Sequence, residues 1–167
     1  DRIEELFAVE ELPDKGKKEI NTYESEYVVE YKNVCFSYGK KEVLHDVSFG
    51  LKENSMTALV GKSGSGKSTI ANLLVRFWDI NSGTIYIGGI DIKELPLSVL
   101  MNQISMVFQN VYLFEDTIYN NILMGRSDAT EQEVIEAAKK ARCYDFVMEL
   151  PNGFQTIIGE GGASLSG

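Results

Sequence analysis

The stretch Val60-Gly61-Lys62-Ser63-Gly64-Ser65-Gly66-Lys67-Ser68-Thr69 has the clearest capacity for chemistry in this sequence. It matches G-x-x-x-x-G-K-[ST], with Gly61, Gly66, Lys67 and Ser68 at the fixed positions. Glycines at this spacing let the backbone turn tightly and aim successive N–H groups at phosphate oxygens. The Lys67 ammonium has the reach to meet β- and γ-phosphates, and the Ser68 hydroxyl is a ligand for Mg²⁺. A helix starting near Gly66 would point its positive end at the same anion, an attraction of roughly 0.3–2 kcal/mol per charge. Lys62, Ser63, Gly64, Ser65 and Thr69 complete the expected cradle.

Such a loop works only between a strand and a helix, and the flanks supply both. Met56-Thr57-Ala58-Leu59-Val60 reads as a short apolar strand. Residues 70–77 place apolar side chains at helical spacing. Upstream, 27–38 and 42–49 are rich in β-branched and aromatic residues and read as strands joined by a turn at Gly39. Downstream, 84–92 reads as a hairpin, 95–103 as a short helix and 104–108 as a buried strand. Beyond Gln109 the pattern turns helical. Thr117 is placed to cap a helix over 118–124, ended by Gly125. Thr130 and Glu133 form a capping box for a helix running to about Arg142. A third helix spans 144–150 and stops at Pro151.

Composition narrows the function. The 167 residues suit one domain, with 44% hydrophobic and 25% charged residues. The net charge of −9 disfavours non-specific nucleic-acid binding and docking on anionic lipid. Cys35 and Cys143 fit no metal or redox spacing and read as reduced thiols. No apolar run approaches the ~18 residues a membrane span needs. Residues 1–26 have linker composition, with Ile3, Leu6 and Phe7 on one face of a short turn and a charged run broken by Pro13 and Gly16. The chain opens at Asp1 rather than Met and stops at Leu165-Ser166-Gly167, so both ends read as cut from something longer.

Taken together, these stretches resemble the nucleotide-binding domain of ABC transporters, of the exporter type. The resemblance runs from Tyr27 to Gly167. It rests on Val34-Cys35-Phe36-Ser37-Tyr38, Val47-Ser48-Phe49, the loop 61–69, Ser82-Gly83-Thr84-Ile85, Val107-Phe108-Gln109, Leu113-Phe114-Glu115-Asp116-Thr117-Ile118 and the run from Gly159 to Gly167. The order and spacing of these short matches, more than any one of them, carry the likeness.

The resemblance implies a fold: an α/β P-loop NTPase core of the ABC type, with a mixed sheet around the loop, an antiparallel β subdomain and a helical insert, incomplete at the C-terminus. It implies ATP and Mg²⁺ as ligands. Tyr38 matches the aromatic that stacks on adenine, an interaction worth roughly 1–3 kcal/mol. Gln109 matches the glutamine that contacts Mg²⁺ with Ser68 and orients the attacking water, a catalytic role shared with Lys67. Leu165, Ser166 and Gly167 match the start of the signature that closes over a partner's nucleotide. Residues 1–26 would link a preceding membrane domain to residues 27–167, the N-terminal two-thirds of the ATP-binding domain. The expected partners are a second ABC ATPase domain, head to tail, and a transmembrane domain, with no nucleic acid. The expected place is the cytoplasmic face of a membrane. The full protein would hydrolyse ATP to drive transport. This chain alone would not, because the carboxylate pair and switch histidine of the resembled family follow the signature. Two departures stand out: Asn54 where Gly is usual, and Asn121 where Glu is frequent. Two alternatives stay open. One is an ABC-type ATPase without a membrane domain, and the other is a degenerate, non-hydrolytic partner domain. No Asn-Lys-x-Asp guanine reader is present, which disfavours a GTPase.

Overall fold

The computed structural model describes residues 12–20, 25–109 and 111–159. They fall into two compact units, within residues 1–105 and 106–167.

The first unit is built on an antiparallel sheet. Strands β1 (Val29–Tyr38), β2 (Lys41–Leu51), β3 (Ser82–Ile87) and β4 (Ile90–Asp91) run in the order β2-β1-β3-β4. The β1–β2 pair extends from Tyr38 opposite Lys41 to Val29 opposite Leu51, with bulges between. Branched and aromatic side chains suit this pleated, half-buried surface. Helices α1 (Lys67–Leu74) and α2 (Leu97–Met101) complete the unit, with a 3₁₀ turn at Ile92–Glu94. The core cluster includes Tyr31, Val34, Phe36, Leu44, Leu73 and Ile85, all buried. Tyr31 stacks on Phe49 with ring centroids 4.6 Å apart, and its hydroxyl donates to the Ile70 carbonyl at 2.8 Å. Burial pushes this phenol's pKa up. One core tyrosine therefore ties β1 to the middle of α1.

Residues 12–20, read from composition as linker, lie against this core. Arg76 donates to the Pro13 carbonyl at 3.2 Å, and Asp14 accepts from the Leu97 amide at 3.0 Å, capping the start of α2. The amides of Lys17 and Lys18 both donate to the Glu94 carbonyl. Gly16 is pressed so close that an added Cβ would sit 2.2 Å from the Leu95 carbonyl carbon. Ile20 packs on the core cluster.

Two expected strands are not strands. Residues 56–60 and 104–108 carry no ladder bonds among the described residues. Met56 is 99% exposed, Val60 93% and Val107 91%. Apolar sequence supplies the side chains of a strand but not its neighbour, and an extended segment without a neighbour has no ladder to join. Thr57 and Leu59 only roof an apolar cavity of about 160 Å³ floored by Tyr31, Phe49 and Ile70. The described sheet is accordingly antiparallel throughout, as the expected antiparallel β subdomain would be, and no parallel pairing of a mixed sheet is among the described residues. Helix α1 also stops at Leu74 rather than Phe77, because Arg76 turns into the left-handed region (φ 53°).

The second unit is mostly helical: α3 (Ile118–Leu123), α4 (Glu131–Lys140) and α5 (Tyr144–Glu149). Thr117 accepts from the Asn120 amide, and Thr130 and Glu133 form the reciprocal capping box, both as expected from sequence. A short pair that the sequence did not announce joins β5 (Asp116–Thr117) to β6 (Ile157–Ile158). Ile118, Val147 and Ile158 form the small core. Asn121, one of the two departures noted above, braces the turn ahead of α3. Its amide nitrogen donates to the carbonyls of Phe114 and Thr117, and its oxygen accepts from the Phe114 amide. A carboxylate could not donate those two bonds. Among the described residues, no helix is long and apolar enough to cross a membrane.

Candidate functional site

The glycine loop lies between residues 56–60, which carry no ladder bonds, and α1, so the helix that the motif requires is in place while its strand is unpaired among the described residues. Gly66 is the hinge of the arrangement. It precedes α1 in the left-handed conformation (φ 90°, ψ 2°), which costs a side-chain-bearing residue energy but not glycine. It also sits against β2, where an added Cβ would lie 2.7 Å from Leu44 Cδ2. With no side chain at this position, nothing caps α1. The first-turn amides of Lys67, Ser68 and Thr69 therefore remain open to an external acceptor, with the helix dipole behind them.

The Lys67 ammonium turns back into the loop. It donates to the carbonyls of Gly61 at 2.9 Å and Lys62 at 2.8 Å, and lies 3.4 Å from Ser65 Oγ. The Ser65 amide donates to the Lys62 carbonyl at 3.2 Å, which closes the turn through Ser63 and Gly64. Lys67 thus fixes the loop with its own charge and holds that charge at its centre. Lys62, Ser63 and Ser68 are exposed, while Thr69 is buried against the unit. The Thr69 hydroxyl lies 3.5 Å from the Tyr38 hydroxyl. That contact brings the end of β1 to the first turn of α1. Tyr38 is 38% exposed.

The arrangement is an open helix start beside one ammonium, with an aromatic ring near the first turn of α1. The uncapped first turn of α1 and the Lys67 ammonium lie at one loop, in a chain whose net charge is −9. The chemistry it suits is binding a polyphosphate that carries an aromatic group. The donor set fits a triphosphate, and Ser68 is free to face a metal ion held on it.

The remaining sequence candidates are not in the first unit's described residues. Gln109 belongs to the second unit, exposed at a bend. Leu165, Ser166 and Gly167 fall outside the described residues. Sequence reasoning passed over two residues near the loop. Trp78 meets Tyr38 edge to face, and Arg76 holds the turn that carries Trp78. An aromatic directly after the loop's helix was the available signal.

Comparison with known proteins places the chain in a family. A family model described as ABC transporter matches residues 44–167. An ATP-dependent lipid A-core flippase of Haemophilus influenzae is 47% identical across 97% of this chain. The same-named protein of Desulfotalea psychrophila is 47% identical across 83%. A solved bacterial Atm1-family ABC exporter with ATP bound superposes with a TM-score of 0.85 at 42% identity over 95% of the chain. The chain spans only about a quarter of these proteins: 28%, 24% and 27% of their lengths. The match in fold, the match in sequence and the open loop before α1 agree: the chain belongs to the ABC transporter family, as ATP-binding sequence of the exporter type.

Proposed function

We propose that the full protein binds and hydrolyses MgATP to drive transport across a membrane, and that this chain supplies one half of each nucleotide site. The observation that carries the reading is the uncapped start of α1 at Gly66, with the Lys67 ammonium fixed in the loop before it. In this reading Gly61 to Thr69 cradle the phosphates and Tyr38 stacks on the base. Ser68 and Gln109 would hold Mg²⁺, which when bound neutralises charge on the β- and γ-phosphates. Gln109 also orients the attacking water, and Leu165, Ser166 and Gly167 face the nucleotide of a second ABC ATPase domain arranged head to tail. Residues 1–26 connect to a transmembrane domain, and 27–167 form the N-terminal two-thirds of an ATP-binding domain on the cytoplasmic face. The names of the relatives support an exporter rather than an ATPase without a membrane domain.

Lys67→Ala tests the site. Losing a charge-assisted bond of about 1.5–3 kcal/mol should weaken ATP by roughly 10- to 150-fold in calorimetry. Unchanged affinity would remove Lys67 from the site. In the full protein the same variant should lose ATP turnover. We further propose that the 167 residues alone bind nucleotide weakly, if at all, and do not turn it over. Steady-state phosphate release by the chain should then equal that of its Lys67→Ala variant, and clear turnover above it would refute this.

A further inference from the structure

Helix α1 hands over to β3 through a turn at residues 76–79. Arg76 takes a left-handed backbone (φ 53°), and its side chain is 2% exposed. Its guanidinium grips Asp79 at two points, Nε to Oδ1 at 3.0 Å and NH2 to Oδ2 at 3.3 Å. A planar fork on a carboxylate fixes direction as well as distance. The residues enclosed by this clamp are Phe77 and Trp78.

Trp78 remains 44% exposed, a large apolar side chain at the surface. Its ring meets the Tyr38 ring at 5.2 Å and 90°. Phe36 also meets the Tyr38 ring, at 4.7 Å and 87°. Phe36 is anchored in the core. Tyr38 is therefore gripped by two perpendicular rings, one fixed by the core and one by the clamp, with its hydroxyl near Thr69. A ring held this way cannot turn about its Cβ–Cγ bond without giving up an edge-to-face contact.

We propose that Trp78 is a positioning residue for base recognition, setting the orientation in which Tyr38 presents its face to the purine of a nucleotide. The proposal rests on the reading of Tyr38 as the base-stacking residue. Trp78 acts through Tyr38 and not on the phosphates, so its contribution must depend on a base being present. Edge-to-face pairs of this kind carry roughly 2- to 10-fold in an equilibrium.

The test uses the full-length protein and two ligands, ATP and inorganic tripolyphosphate, titrated by calorimetry. Trp78→Ala should weaken ATP roughly 2- to 10-fold and leave tripolyphosphate unchanged. Trp78→Phe keeps a ring edge and should restore ATP affinity. Trp78→Leu keeps apolar volume without a ring and should behave like alanine, which guards against a misfolded alanine variant. Tyr38→Ala is the control for the parent reading and should weaken ATP alone. If it does while Trp78→Ala and Trp78→Leu bind ATP normally, the positioning role is overturned and the stacking role stands. If both ligands weaken together in the Trp78 variants, the residue acts on the loop or the fold, which also overturns the proposal. If Tyr38→Ala leaves ATP binding unchanged, the stacking role falls and the Trp78 role falls with it.

Discussion

Helices α1 and α4 start from opposite choices at their first turn. In the first unit, Gly66 heads α1 with no side chain, a left-handed backbone and no cap. In the second, Thr130 and Glu133 cap α4 reciprocally, and Arg126 pairs with the same Glu133. Helix α3 starts in the α4 manner, under Thr117. The dipole and the orphan amides are alike at all three starts. Where the chain supplies its own acceptor, the helix start is satisfied internally and gains local stability. Where it supplies glycine, the same amides stay available to an anion from outside. A binding site here is a structural need left unmet, and the contrast between the two units shows where the chain leaves it so.

Moving the α4 device into α1 should produce the largest effect. Gly66→Asp would set a carboxylate at the start of α1, beyond the backbone strain and Leu44 contact that Gly66→Ala, its control, would bring alone. A like charge about 4 Å from phosphate oxygen costs roughly 4 kcal/mol at an effective dielectric of 20, about a thousandfold in affinity. ATP and tripolyphosphate should be lost together in calorimetry. Retention of either ligand would break the comparison. A smaller effect is expected from removing the device where it belongs. Thr130→Ala should cost α4 about 1 kcal/mol, read as faster amide exchange in its first turn, with ATP affinity unchanged. A matching loss of ATP affinity would mean that the two starts are not independent.

The smallest effect is one of pH. The Glu133 carboxyl is held at about 2, first by the Thr130 backbone N–H and then by Arg126. Its folded pKa lies below its ordinary one, so the stabilisation is complete above the ordinary carboxylate range. It drains away as pH falls toward 2. Asp116, lowered by the Asn120 side chain and then the Thr117 amide, behaves likewise ahead of α3. Carboxyl-carbon NMR should place the Glu133 midpoint near 2 and move it up in Thr130→Ala. A midpoint in the ordinary range would show that the box is not closed in solution.

What the sequence disclosed follows from how local each device is. The glycine loop, the Thr117 cap and the Thr130–Glu133 box each lie within four to nine consecutive residues, and all were legible. Pairings between distant segments were not. Asp116 pairs with Ile158 across four intervening elements, and neither two-residue strand is long enough to show a period. Residues 56–60 and 104–108 show the converse, with strand-like sequence and no neighbour among the described residues. Arg76 and Trp78 escaped notice because their meaning depends on partners at Asp79, Pro13 and Tyr38, which spacing alone does not connect. Asn121 read as a departure from a family pattern, and only its three hydrogen bonds show why an amide serves there.

The segment 12–20 has a mechanical meaning. Tension on the chain ahead of Leu12 would not first load the start of β1. It would be borne by the Pro13 carbonyl on Arg76, by Asp14 on the Leu97 amide, and by Lys17 and Lys18 on the Glu94 carbonyl. These bonds lie side by side over a few residues and would share load, while Gly16 seats the segment against Leu95 like a cable in a strain relief. Force would enter the unit at two places, Arg76 just past the end of α1 and the stretch from Glu94 to Leu97 at the start of α2, so only part of it would reach the helix whose other end carries the phosphate loop.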